Sequence, residues 1–190
     1  MIRSTLLAAL AAVLCSCAAS HKVYSSADPT ADFARYTTYN FVSPLAVEAP
    51  GEPTPLLVQY LKAATSAEME ARGYRLDATT PDLLVNLEVH TEQRTEVRST
   101  PSSGMYFGYR GEGYGVWGGY QEPVVVSYTQ GTLNVDLIDA RRNQLAWEGV
   151  LEGRLREKAR EHLEKAVDDA VADVFERYPY AAGKGEPAGK

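Results

Sequence analysis

From Asp82 to Arg98 the chain alternates: Leu83, Val85, Leu87, Val89 and later Val97 share one face, and Asn86, Glu88, His90, Glu92, Arg94, Glu96 and Arg98 share the other. A period of two belongs to a β-strand with one apolar and one wet side, which suits an antiparallel sheet and requires a cover for the apolar face. The pattern recurs. Thr132 to Ile138 sets Leu133, Val135 and Leu137 against Asn134 and Asp136, and Gln144 to Leu155 sets Leu145, Trp147, Leu151 and Leu155 against Glu148, Glu152 and Arg154. The turn Asp139–Asn143 joins these two, giving a meander. Tyr36 to Val42 and Val124 to Thr129, rich in aromatic and β-branched residues, read as further extended segments, the second leading into Gly131.

The cover comes from two amphipathic helices. Thr54 with Pro55 reads as a helix start and Gly73 as its stop, with Leu57, Leu61, Ala64, Ala67 or Glu68, and Ala71 recurring at helical spacing. Leu163, Ala166, Val167, Ala170, Val171, Val174, Phe175 and Tyr178 give a second stripe, ended by Pro179. The expected fold is α+β: a mostly antiparallel sheet of about four to five strands with two helices packed on one face, in the order β-α-β-β-β-α. Leu87, Leu133, Val135, Leu137, Trp147, Val171 and Phe175 are expected in the core.

Length and charge narrow the classes. A chain of 190 residues, 45% hydrophobic and with net charge −6, is one domain's worth of globular material. Only the N-terminus carries an apolar run, which argues against a polytopic membrane protein, and the acidic balance disfavours nucleic acid. Met1 to Cys17 holds one basic residue, Arg3, then an apolar run from Leu6 to Leu14 too short to span a bilayer, and reads as an export signal. Leu14-Cys15-Ser16-Cys17 looks like a lipobox, in which a small residue precedes the acylated cysteine. Cys17 fits. Cys15 fits less well, because Leu14 would occupy the small-residue slot, and an ordinary secretory signal cleaved near Ser16 or Ala19 is the alternative. A lone mature cysteine has no disulfide partner, and acyl chains, at roughly 0.8 kcal/mol per buried CH₂, would hold the domain to a membrane. Ala18 and Ala19 after Cys17, with no Asp, point to the outer membrane under enterobacteria-like sorting. The organisation read from the sequence is a signal over 1–16, a lipidated N-terminus and tether over 17–26, a domain over 27–179 and a disordered tail over 180–190.

Several pieces resemble a known family. They are Asp32-Phe33, Tyr36-Thr37-Thr38-Tyr39, Arg72-Gly73-Tyr74, Pro81-Asp82-Leu83-Leu84-Val85, Gly131 to Asp139, and Leu145-Ala146-Trp147-Glu148-Gly149. In this order they are similar to the domain of unknown function DUF4136, over roughly Val23 to Pro179. The resemblance implies an α+β domain of mostly bacterial lipoproteins, with no established activity and no agreed catalytic residues.

The residues themselves offer little chemistry. Glu88, His90 and Glu92 alternate along one strand face and would present metal ligands in principle, but with no second His or Cys beside them a solvated row of charges is the simpler reading. His162 lies among Glu and Lys, where neutralising pairs explain it. Asp136 and Asp139 form a carboxylate pair, for which an outward strand residue and a turn-starting side chain suffice. There is no G-x-S-x-G, no P-loop and no dinucleotide fingerprint, since Gly111-Glu112-Gly113-Tyr114-Gly115 follows no βα unit. Gly104 to Tyr120 is the anomaly. Seven glycines surround Tyr106, Phe107, Tyr109, Tyr114, Trp117 and Tyr120, with Arg110 the one basic residue. Exposed rings offer flat faces to sugars, peptides or partner surfaces. Tyr106, Tyr109, Tyr114, Trp117 and Tyr120 are therefore the candidate ligand-binding residues, against a plain connecting loop whose rings fold back on the sheet or graze lipid headgroups. The sequence thus predicts a lipid-anchored, non-enzymatic structural or interaction module facing the periplasm, without cofactor or metal. Its partners would be the membrane and an envelope protein or glycan. A small-ligand or glycan binder and a hydrolase with an unrecognised site are the rivals.

Overall fold

The computed structural model describes residues 21–48, 54–101 and 121–185. Along the chain come β1 (His21–Ala27), β2 (Thr38–Phe41), α1 (Pro55–Ala71), β3 (Arg75–Leu76), β4 (Leu83–Pro101), β5 (Gln121–Asp139), β6 (Gln144–Arg154), α2 (Glu157–Glu161) and α3 (Leu163–Phe175). The strands form one sheet in the order β1-β6-β5-β4-β2-β3. The meander β4-β5-β6 is antiparallel as expected, and β1 joins β6 antiparallel. The class α+β holds, but among the described residues the sheet is mixed and has six strands rather than four or five, and three α-helices accompany it rather than two. The parallel part follows from connectivity. Helix α1 separates β2 from β3 and β4, and a crossover of that kind returns the chain in the same direction, so β2 pairs parallel with both.

Strand β1 corrects the expected tether. Ser25 and Ser26 gave the segment a polar look, yet all seven residues pair with β6, from His21↔Gly153 to Ala27↔Trp147. His21 Nε2 also lies 3.0 Å from Asp173 of α3. The tail is corrected too. Ala182 N–H donates to the Arg72 carbonyl at 3.0 Å and Gly183 N–H to the Tyr36 carbonyl at 2.9 Å, so the chain is docked as far as Gly185.

Helices α1 and α3 pack on each other and share one core with Leu83, Val85, Leu87, Leu133, Val135, Leu137 and Trp147 of the sheet. All seven expected core residues are buried. The buried stripe of α1 is Val58, Leu61, Ala64, Thr65 and Met69, whereas Ala67 and Ala71 are exposed. The contacts with α3 and the sheet select this face, and small alanines around the helix left the periodicity ambiguous. The helix ends where expected. Gly73, at φ 86°, lets its own N–H reach the Glu70 carbonyl and the Tyr74 N–H reach the Met69 carbonyl, while Tyr74 and Met69 bury together. Gly149 is needed for space: a Cβ there would lie 2.3 Å from Trp147 Cη2 and 2.5 Å from Val174 Cγ1.

Two details of the meander differ from the periodic reading. Strand β5 runs unbroken through Gly131 for 19 residues. A bulge shifts the β5–β6 register, so Trp147 pairs with Leu137 but Leu145 pairs with Ile138. Leu145 is thereby turned off the core face and is 45% exposed.

Candidate functional site

Parts of several family-like pieces meet at one end of the sheet. The turn after β5, the start of β4 and the segment Asp28–Thr38 meet there around a cleft of about 340 Å³ lined by Thr30, Asp32, Arg35, Tyr36, Asp139, Arg141 and Arg142. Asp139 closes the turn: its Oδ1 accepts the N–H groups of Arg141 and Arg142, each at 2.9 Å, and its Oδ2 accepts the Tyr36 hydroxyl at 2.8 Å. Burial pushes this carboxyl up, but the Arg142 N–H, the Tyr36 hydroxyl and the Arg141 N–H outweigh it and hold it below the usual carboxylate range. Burial first and the carboxylate second keep the Tyr36 hydroxyl protonated far above its ordinary range.

Asp82, at the mouth of β4, is a second hub. Its Oδ2 accepts the N–H and hydroxyl groups of Thr37 and Thr38 at 3.0 to 3.2 Å, and its Oδ1 accepts Arg141 Nη2 at 2.8 Å. Desolvation opposes ionisation here, and the Thr37 N–H, Arg141 and the threonine hydroxyls override it, again leaving the carboxyl below its ordinary value. Arg142 spans to the other wall, donating to Asp28 Oδ2 at 3.0 Å, Thr30 Oγ1 at 2.9 Å and the Thr30 carbonyl at 3.1 Å. These carboxylates are ionised, fully engaged acceptors. Such groups fasten loops together, and they neither donate nor take up a proton near neutral pH.

The other sequence candidates are dispersed. Asp136 is half-buried on the sheet face away from Leu137, bonded to Asn86 Nδ2 at 3.2 Å. Burial first, then Glu88, raises its carboxyl despite Asn86. Asp139 stands opposite Leu83 at the sheet end, so the two aspartates share no site. His90 and Glu88 are exposed on β4. Among the described residues no group of three His, Cys, Asp or Glu is arranged to hold a metal ion. Cys17 and the candidate ligand residues Tyr106, Tyr109, Tyr114, Trp117 and Tyr120 lie outside the described residues. The sequence reading missed the Tyr36–Asp139 and Asp82–Thr37–Thr38 contacts. The signal for them was the polar residues inside otherwise apolar pieces, Tyr36-Thr37-Thr38 and Pro81-Asp82-Leu83.

At the opposite end of the sheet β4 and β5 outrun their neighbours. Past the last rung of β6, Gln130↔Arg154, they continue as a pair to Pro101↔Gln121. The segment 102–120 therefore joins the far end of a two-stranded arm.

A family model described as a domain of unknown function, DUF4136, matches residues 23–180. The chain belongs to the DUF4136 family. Its matched span begins inside β1 and closes at Tyr180, which stacks on Phe33 with ring centroids 3.6 Å apart, so the match takes in most of β1 and ends just before the docked residues Ala182 and Gly183. No curated protein matches the chain in sequence. Among solved structures, a PDZ domain protein from Parabacteroides distasonis is similar at TM-score 0.55 and 16% identity, over 87% of this chain and 37% of that one. This chain thus spans little more than a third of that relative, and the likeness is one of fold. A PelC dodecamer from Paraburkholderia phytofirmans aligns at TM-score 0.48 and 14% identity, over 85% of this chain and 99% of that one. A minor lipoprotein from Acinetobacter baumannii aligns at 0.38 and 8%, over 77% and 92%. Among the described residues of this DUF4136 chain, no helix is long and apolar enough to cross a membrane.

Proposed function

We propose that this DUF4136 protein is a lipid-anchored module of the bacterial cell envelope, acylated at Cys17, facing the periplasm from the outer membrane and working by contact rather than by catalysis. The observation that carries the reading is the start of β1 at His21, four residues after Cys17. Ala18, Ala19 and Ser20 would be the whole tether, at most about 14 Å from Cys17 to His21. An acyl group there would hold the body directly at the membrane surface. The aspartates of the polar end support a contact role, because the bonds of Asp82 and Asp139 join loops to one another.

Mass spectrometry of the mature protein tests the anchor: an acylated Cys17 is expected, and Cys17→Ala should move the protein from the membrane to the soluble fraction. An unmodified thiol on mature material would overturn the anchor. Binding of a glycan or small ligand through Tyr106, Tyr109, Tyr114, Trp117 and Tyr120 is the second reading. It is favoured by the arm, which joins both ends of 102–120 to a paired pair of strands. It requires that Tyr114→Ala with Trp117→Ala abolish binding at an unchanged melting temperature. Crosslinked pull-downs of the intact protein and of one lacking 104–120 should differ in partners if the loop is the contact.

A further inference from the structure

Strands β4 and β5 extend nine rungs beyond β6, from Gln93↔Thr129 to Pro101↔Gln121, an arm about 30 Å long at the usual strand rise. A lone pair of strands is marginally stable in water and leaves both edges open. The faces of this arm differ in kind. One sets Arg94, Glu96 and Arg98 opposite Tyr128, Val126 and Val124, and its charges are paired: Arg94 with Glu92 at the base, and Arg98 and Arg154 both with Glu96. The other sets Gln93, Thr95, Val97 and Ser99 opposite Thr129, Ser127, Val125 and Pro123. It bears no ionisable group, and Val97 and Val125 are each 63% exposed.

We infer that this arm is a second membrane contact, its charge-free face meeting a lipid surface beside the N-terminal anchor. The inference rests on the acylated Cys17 proposed above. The chain enters β1 at the base of the arm, because His21, Gly153, Gly131 and Thr91 lie on one line across the ladders. Four residues, at most about 14 Å, cannot carry the anchor back along the roughly 23 Å of β1 to the polar end. The membrane therefore lies on the arm's side. The charge distribution agrees. The arm's segments, 93–101 and 121–129, hold Glu96 and Glu122 against Arg94 and Arg98, a net charge of 0 against the chain's −6, so the body and not the arm repels anionic lipid. A face two strands wide and about 30 Å long offers roughly 300 Å² per copy, so a second copy packed on it would bury roughly 600 Å² in all, short of the ~1,200 Å² of a stable interface. A lipid contact needs far less, since the anchor already confines the arm to the surface.

The test uses the acylated protein in vesicles of phosphatidylethanolamine and phosphatidylglycerol carrying a headgroup-linked nitroxide quencher. With Cys15 removed in the leader and Cys17 acylated, Val97→Cys, Val125→Cys or, at the opposite end, Ala78→Cys supplies the single free thiol for a fluorophore. Emission should be lost at 97 and 125 and kept at 78. Retained emission at all three positions, on protein shown by mass spectrometry to be acylated, overturns the inference. If mass spectrometry instead finds a free thiol at residue 17, the anchor reading has failed. The arm contact then stands only if protein carrying Cys17→Ser, labelled at 125 alone, still loses emission with added vesicles, and falls if it does not. Shielding of position 125 from a water-soluble quencher without vesicles, rising with protein concentration, would make a second copy the occupant and also overturn the inference.

Discussion

Strands β4 and β5 are each 19 residues long and paired throughout, yet their two halves differ completely in environment. In the inner half Leu83, Val85, Leu87, Val135 and Leu137 are 0% exposed, whereas in the outer half Val97 and Val125 are 63% exposed and Val124 is 45% exposed. Ladder hydrogen bonds are the same in both. What differs is the cover: α1 and α3 lie over the inner half, with β2 and β6 flanking it, and both flanking strands stop before the arm begins. Backbone pairing therefore sets where these strands run, and only side-chain packing makes part of them a core.

The contrast is broken most severely at Trp147, which is 1% exposed and packs on Phe175 and Tyr178 at ring-centroid distances of 6.0 and 4.9 Å. Trp147→Ala should cost about 3–5 kcal/mol, read as a lower denaturation midpoint, because the vacated volume cannot collapse fully. Next comes Gly149→Ala. Its Cβ would sit within 2.5 Å of both Trp147 and Val174, so overpacking should cost about 1–3 kcal/mol in the same measurement.

A smaller effect belongs to the polar end. Tyr36→Phe removes the hydroxyl from Asp139 and should cost about 1–2 kcal/mol at neutral pH. The pH dependence has a definite sign. Asp139 and Asp82 have folded-state values below their unfolded ones, so their stabilisation is complete above about pH 4. It is lost as pH falls through the depressed values. Asp139→Asn should therefore lower stability at neutral pH and flatten its decline in acid, as seen in unfolding curves across that range. The arm supplies the smallest effect. Val97→Thr or Val125→Thr should shift stability by less than about 0.5 kcal/mol, since neither side chain is buried in the body. A larger loss would show that the body depends on the arm.

Much of this was legible in the chain. The alternation from Leu83, the meander through Asp139–Asn143, the start at Pro55, the stop at Gly73 and the final helix through Phe175 all stand close to where their residue patterns set them. The departures have physical causes. β1 was hidden because Ser25 and Ser26 carry no strand preference, and its order comes from the unpaired edge of β6. Spacing alone sets Leu145 on the same face as Trp147, and a bulge rotates it out. The polar end was half visible: Asp139 as a turn starter could be read locally, but its bond to Tyr36, 103 residues away, could not.

By itself the sequence determined what is local or periodic: the strand faces, the helix limits and the turn chemistry. These depend on residues within a few positions of each other, where propensity and spacing act directly. Tertiary structure alone decided the parallel pairing of β2, the recruitment of β1 and the tail, the meeting of Asp82 and Asp139 with the 36–38 segment, and the length of strand left uncovered as an arm. Those depend on which distant surfaces come together, a choice made by burial and hydrogen-bond satisfaction across the whole fold rather than by any single stretch of chain.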